Sequence, residues 1–276
     1  MAVAKKKIST KKTKVVKARK KKIRPPKGVG PRIKDERAYA KAIKKDVLQP
    51  LFSATMKRLK SVPKLKSSYA NAVKEEFAFI TKEANFGVST AEIALANIRK
   101  VHKAKMIKSF KAALGVDIMP MMSDLNIRNL MNQSVMDNIA LIKSIPKELN
   151  LEILSAFDDI FTKQGFDQQA MFQVLQDKFN VSASRAKFIA RDQTSKIIGS
   201  LNKARQTDLN ITSYVWQTVG DESVRASHSQ KNGQEFLWSM PPRDTGHPGE
   251  DYNCRCVAIP VIPGMGNDKN QIEQVL

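Results

Sequence analysis

The sequence predicts an α+β fold: a predominantly helical chain that ends, after a long helix, in a small irregular β-rich cap, with a disordered basic arm at its N-terminus. Three observations carry this. Apolar residues recur at three- and four-residue spacing from about Asp35 to Leu209, the period of a one-sided helix. The period changes at Ser213–Val219 (SYVWQTV), where β-branched and aromatic residues suit a pleated strand. Residues 1–34 hold 15 lysines and arginines and no aspartate or glutamate.

The arm explains most of an extreme charge. The 276-residue chain has a formal net charge of +22, yet the part after Lys34 carries 33 basic and 26 acidic side chains, so only a mild excess sits on the folded region. The arm has too much charge and too little apolar surface to offset the entropy of ordering. Pro25, Pro26, Gly28, Gly30 and Pro31 then interrupt any helix. A polycation of this kind binds double-stranded DNA of any sequence by releasing condensed counterions. The candidate DNA-binding residues are Lys5, Lys6, Lys7, Lys11, Lys12, Lys14, Lys17, Arg19, Lys20, Lys21, Lys22 and Arg24. A solubilising or targeting tail is the plainer alternative.

Other classes are excluded by composition. The two cysteines, Cys254 and Cys256, stand one residue apart, so there is no disulfide framework, and a reducing site of synthesis follows. No apolar run approaches the roughly 18–20 residues of a membrane span. The N-terminus lacks the apolar core of a secretory signal. With 42% hydrophobic residues but 7% aromatics, the core is expected to be aliphatic and helical.

The helices are expected as follows. One covers residues 35–60, interrupted at Pro50, and another covers 67–84. The helix at 89–114 is capped by Ser89 or Thr90 and stopped by Gly115, with Ile93, Ala96, Ile98, Val101, Ala104, Ile107 and Phe110 as its apolar face. Its lysines 100, 103, 105, 108 and 111 form a solvated face or a second DNA-facing surface. Residues 127–145 form a helix that ends at Pro146, which opens the next at its first position; Gly165 closes that one. A short helix spans 167–179 and a long one 183–209, stopped by Asn210 in the left-handed region. Beyond the turn at Gly220–Asp221, short strands are expected near 234–238 and 256–261. This divides the chain into an arm (1–34), a helical region (35–135), a C-terminal domain (136–263) and a loose tail (264–276).

Several pieces of the C-terminal half match, in order, a known pattern. They are Asn138-x-x-Leu141-Ile142-Lys143-Ser144-Ile145-Pro146; Gly165 with Phe179-x-Val181-Ser182; and Arg185-Ala186-x-x-Ile189-Ala190-Arg191-Asp192-Gln193-Thr194 running to Ala204-Arg205. Tyr214-x-Trp216, Asp221-Glu222-x-Val224-Arg225-x-x-His228 and Asn232-Gly233-x-x-Phe236 follow. His247-Pro248-Gly249-x-x-x-Asn253-Cys254-Arg255-Cys256 is last and most specific. Over residues 138–262 the chain resembles the phage Mu F-like head-morphogenesis (minor capsid) proteins. The resemblance implies a minor head protein of a tailed bacteriophage, made in the host cytoplasm and located in the head interior. It implies contacts with the portal, other head proteins and packaged DNA, passage out with that DNA, and no enzymatic activity. A stand-alone DNA-compacting protein and a metal-dependent nuclease are the alternatives; the nuclease reading rests on His228, Asn232, His247 and Asn253, at spacings that fit no nuclease motif.

His228, His247, Cys254 and Cys256 are the candidate metal ligands, four nitrogen and sulfur donors of the kind that hold zinc tetrahedrally. The family pattern carries Cys-x-x-Cys where this chain has Arg225-x-x-His228, so one ligand position is replaced by arginine. The alternative is a hydrogen-bonded loop fold with two small buried thiols. Asp221 and Arg225 read as an ion pair, or Arg225 and Arg255 as an anion site. Trp216 and Trp238 read as core.

Overall fold

Two helices of exceptional length organise the protein, seen in a computed structural model that describes residues 25–83, 85–123 and 125–262. The helices are α1 (Ile33–Ile43), α2 (Gln49–Ser61), α3 (Lys66–Thr81), α4 (Val88–Leu114), α5 (Leu125–Gln164), α6 (Gln168–Asp208) and the single turn α7 (Ala226–Ser229). The strands β1 (Ser213–Gln217), β2 (Glu235–Leu237) and β3 (Val257–Pro260) form one antiparallel sheet in the order β2-β1-β3. The predicted class, helical with a small β-rich cap after a long helix, is what is observed. The twelve candidate DNA-binding residues, Lys5 to Arg24, lie outside the described residues.

Three expected helix breaks are absent. Pro50 sits in the first turn of α2, and the chain passes into it from α1 through a π-helical turn, Lys44–Leu48. The wider turn relieves the clash of the proline ring with the carbonyl four residues earlier. Pro146 does not start a helix either; it lies inside α5, which runs 40 residues without interruption. It is buried together with Ile142, Ile145 and Leu149, so apolar burial along this stripe offsets the lost backbone hydrogen bond. The expected break near residues 180–182 is likewise absent, and 167–209 forms one 41-residue helix rather than two. The Asp167 carboxylate caps it, accepting from the Ala170 N–H at 3.0 Å. The stops were correctly placed: Gly115, Gly165 and Asn210 all have positive φ.

The face of α4 differs from the expected one. Ala91, Leu95, Ile98, His102, Met106 and Phe110 are buried, whereas Ile93 is 71% exposed. Neither Ser89 nor Thr90 caps this helix: both lie within it, and Gly87, at φ 75°, is the cap residue.

The main core draws on every helix from α1 to α6, with residues from Tyr39 to Leu201 in one cluster. A buried polar network pins α1, α5 and α6 together. The Tyr39 hydroxyl donates to Asn138 Oδ1 at 2.8 Å, and Asn138 Nδ2 donates to Ser134 O and to Gln193 Oε1. A second network joins α4 to α6. His102 Nε2 donates to Asn202 Oδ1 at 2.9 Å, and the buried Arg205 guanidinium donates to His102 Nδ1. Asn202 Nδ2 reaches the Val29 carbonyl at 2.9 Å, fixing residues 25–32 on the helices.

This second network makes stability pH-dependent. Burial, reinforced by the Arg205 charge, pushes the His102 imidazole down to about 3. The unfolded chain protonates His102 near pH 6.5, so its contribution is complete above that value and declines as the pH falls toward 3, by up to about 1.4 kcal/mol per unit. Urea melts at pH 7 and pH 5 should therefore show lower stability at pH 5. The loss should be smaller in His102→Gln, measured against the same variant at pH 7.

Candidate metal centre

The cap is built around a small apolar nucleus: Tyr214, Trp216, Trp238, Cys254, Cys256 and Ala258 are all buried. Alternation along β1 puts Tyr214 and Trp216 on one face. Tyr214 stacks on Trp238 with centroids 4.2 Å apart, and Trp216 meets the His228 ring edge-on at 5.4 Å. Both tryptophans are core, as the sequence predicts.

The cap rests on α6 through two glycines. A Cβ on Gly199 would lie 2.4 Å from the Pro248 carbonyl oxygen, and one on Gly249 would lie 2.7 Å from the Ser195 carbonyl oxygen. Gly249 also has φ 95°, a conformation that L side chains rarely adopt. The His-Pro-Gly motif is therefore a turn pressed directly onto helix backbone. Asp192 of α6 fastens the next segment by accepting from the Asn253 N–H at 2.8 Å. Gly249→Ala should destabilise the protein by about 2–4 kcal/mol, from strain plus displacement of the cap, readable as a lowered denaturant midpoint.

Between β1, α7 and the segment before β3, three of the four candidate ligands converge. His228, Cys254 and Cys256 offer donor atoms within 4.8 Å of one another, all buried. His228 Nδ1 lies 3.5 Å from both sulfurs. Zinc at ordinary Zn–N and Zn–S distances in tetrahedral geometry separates nitrogen from sulfur by about 3.5 Å. Both nitrogen–sulfur edges thus match those of a zinc tetrahedron. Asn253, at φ 52°, turns the chain immediately before the Cys254-Arg255-Cys256 segment.

Hydrogen bonds prepare the donors. His228 Nε2 donates to Asp251 Oδ2 at 2.8 Å, which leaves the Nδ1 lone pair facing the sulfurs. Burial pushes the Asp251 carboxyl up, but hydrogen bonds from His228 and the Tyr252 N–H, with the Arg225 charge, outweigh it and hold the group below the usual range. Cys254 is drawn down to about 6, first by the Cys256 thiol, which donates to its thiolate, and then by the Gly249 N–H, 3.3 Å away. Cys256 is correspondingly pushed up.

His247 does not join this group. Its Nδ1 is hydrogen-bonded to the Tyr214 hydroxyl at 2.9 Å, its ring packs on Trp238, and burial lowers its pKa. It supports the aromatic nucleus rather than the cysteines. Arg225 donates to Asp251 at 2.8 Å and to the Tyr252 carbonyl. Its partner is therefore Asp251 and not Asp221, which pairs with Arg255 at 2.6 Å. Sequence reasoning missed Asp251; its signal was a carboxylate three residues before Cys254 in the same motif.

A Haemophilus influenzae protein, described only as uncharacterized, is 37% identical over 160 residues, which cover 58% of this chain and 36% of that protein. The chain thus spans about a third of the relative's length. No solved structure shows a significant match. Residues 162–259 match the family model described as Phage Mu protein F like protein. This match takes in all of α6, the sheet except its last residue, Pro260, and the donor cluster, so over residues 162–259 the chain is similar to the phage Mu protein F-like family.

Proposed function

We propose that the protein is a minor head protein of a tailed bacteriophage, acting in head morphogenesis without catalysis. Its folded part contacts the portal and other head proteins, and its basic arm contacts packaged DNA. The observation that carries this reading is the family match over 162–259. The 12 lysines and arginines in residues 1–24 supply a surface suited to dense DNA, since counterion release requires no base sequence and no fixed shape. In this reading the protein lies inside the head and leaves with the DNA.

His228, Cys254 and Cys256 hold a zinc ion whose role is structural, tying α7 to the loop that precedes β3. The fourth position of the candidate set, His247, is not required.

Mass spectrometry of purified DNA-filled particles, compared with particles emptied by ejection, tests the assignment. Presence in full heads and depletion from emptied ones is expected. Absence from both would sink the virion reading and leave an assembly factor or a free DNA-compacting protein.

A further inference from the structure

Beside the donor cluster lies a pocket of about 210 Å³ whose lining includes Arg191, Arg225 and Arg255 as well as His228, Cys254 and Cys256. None of the described residues that line it is acidic. Arg191 projects from α6, and its Nε is buried with no hydrogen-bond partner among the described residues. A buried, unanswered guanidinium N–H costs stability unless something accepts from it. Arg225 uses its two Nη atoms on Asp251 and Tyr252, and Arg255 uses Nη2 on Asp221 and Ser223. Each guanidinium has five N–H donors, so both retain capacity. Asn253, also in the lining, carries an amide that can turn its NH2 toward an acceptor. The carboxylates that oppose this charge lie outside the lining: Asp221, Asp251 and Glu36 of α1. Burial raises the Glu36 carboxyl, and the nearby charges of Arg191 and Arg255 act against that rise.

We infer that this pocket binds one phosphate-type oxyanion, with Arg191 as its central donor and Arg225 and Arg255 at its flanks. A tetrahedral anion presents its oxygens in three dimensions and so suits guanidinium groups arriving from different walls, whereas the acceptor sites of a carboxylate lie in one plane. The pocket stands on its arginines. Zinc at the adjoining donors, which rests on the reading above, would be balanced by the two thiolates that hold it, so the attraction for an anion is left to the arginines.

The test uses the full chain, with zinc content measured first. Inorganic phosphate is titrated in at low ionic strength and followed by phosphorus NMR line broadening. Saturable binding is expected, weakened about tenfold or more in Arg191→Gln and less in Arg191→Lys, with melting temperatures recorded for both. The arm is present in all three proteins, so its own attraction for phosphate cancels. Equal affinity in wild type and Arg191→Gln would overturn the inference. A chain that takes up no zinc but still shows the Arg191 dependence defeats the metal reading alone. Competition by a dinucleotide lacking a terminal phosphate identifies the backbone diester as the source; failure to compete identifies free phosphate or a monoester.

Discussion

Cys254→Ser should lower bound zinc from one equivalent to none and destabilise the cap more than any other single change to its polar residues. Cys254 is the donor whose thiolate is already favoured, drawn down to about 6 by the Cys256 thiol and the Gly249 N–H. A zinc ligand must be deprotonated, so a preformed thiolate lowers the cost of metal entry. Serine keeps the size but not the soft donor. Structural zinc is worth about 10 kcal/mol or more in small modules that have no other core. The cap has an apolar nucleus of its own, so a loss of about 3–5 kcal/mol is expected. Elemental analysis reads the metal, and denaturation with and without a chelator reads the energy. If wild type and variant hold equally little zinc and melt alike with chelator, the cluster is only a packed pair of thiols. Asp251→Asn should act in the same direction with a smaller effect, since it weakens the hydrogen bond that orients His228 rather than a ligand.

Removing residues 1–24 should all but abolish binding to duplex DNA at physiological salt. That segment carries 12 cationic side chains and no acid. If half of them neutralise phosphates, the logarithm of affinity falls with the logarithm of salt at a slope of about −5. The slope should collapse toward that of the mildly basic folded region in the truncated chain, and it should not depend on DNA sequence. Filter binding across a salt series measures both. A truncated protein that keeps the full slope would move the interface to the folded part, where the lysines of α4 are the nearest candidates.

How much of this was legible in the sequence depended on whether the deciding force was local. The strand at 213–217, the left-handed stops and the Asp167 cap follow from residue chemistry within a few positions, and each was foreseen or prepared by its own residue type. Pro146 misled because its backbone preference is local while the burial that overrides it comes from neighbouring helices. Ile93 misled in the same way: it is apolar, but the turn of α4 that faces α5 and α6 is set by Leu95, Ile98 and His102. In the candidate site, the two cysteines and His228 were named from residue type and do converge. His247 has the same chemistry, but its ring nitrogen is claimed by Tyr214, a partner 33 residues away that spacing could not reveal.

The unbroken course of α6 has a thermodynamic consequence. Its first half contributes Met171, Leu175 and Phe179 to the helical core, while its second half carries Asp192, Ser195 and Gly199, on which the cap sits. No hinge of irregular backbone separates the two. Loosening the body therefore removes the platform under the sheet, and loss of the sheet exposes the helix flank it covers. Residues 25–262 are expected to melt as one cooperative unit, with calorimetric and van't Hoff enthalpies in agreement. A load applied at one end would then be carried through continuous helix and would reach the other end intact.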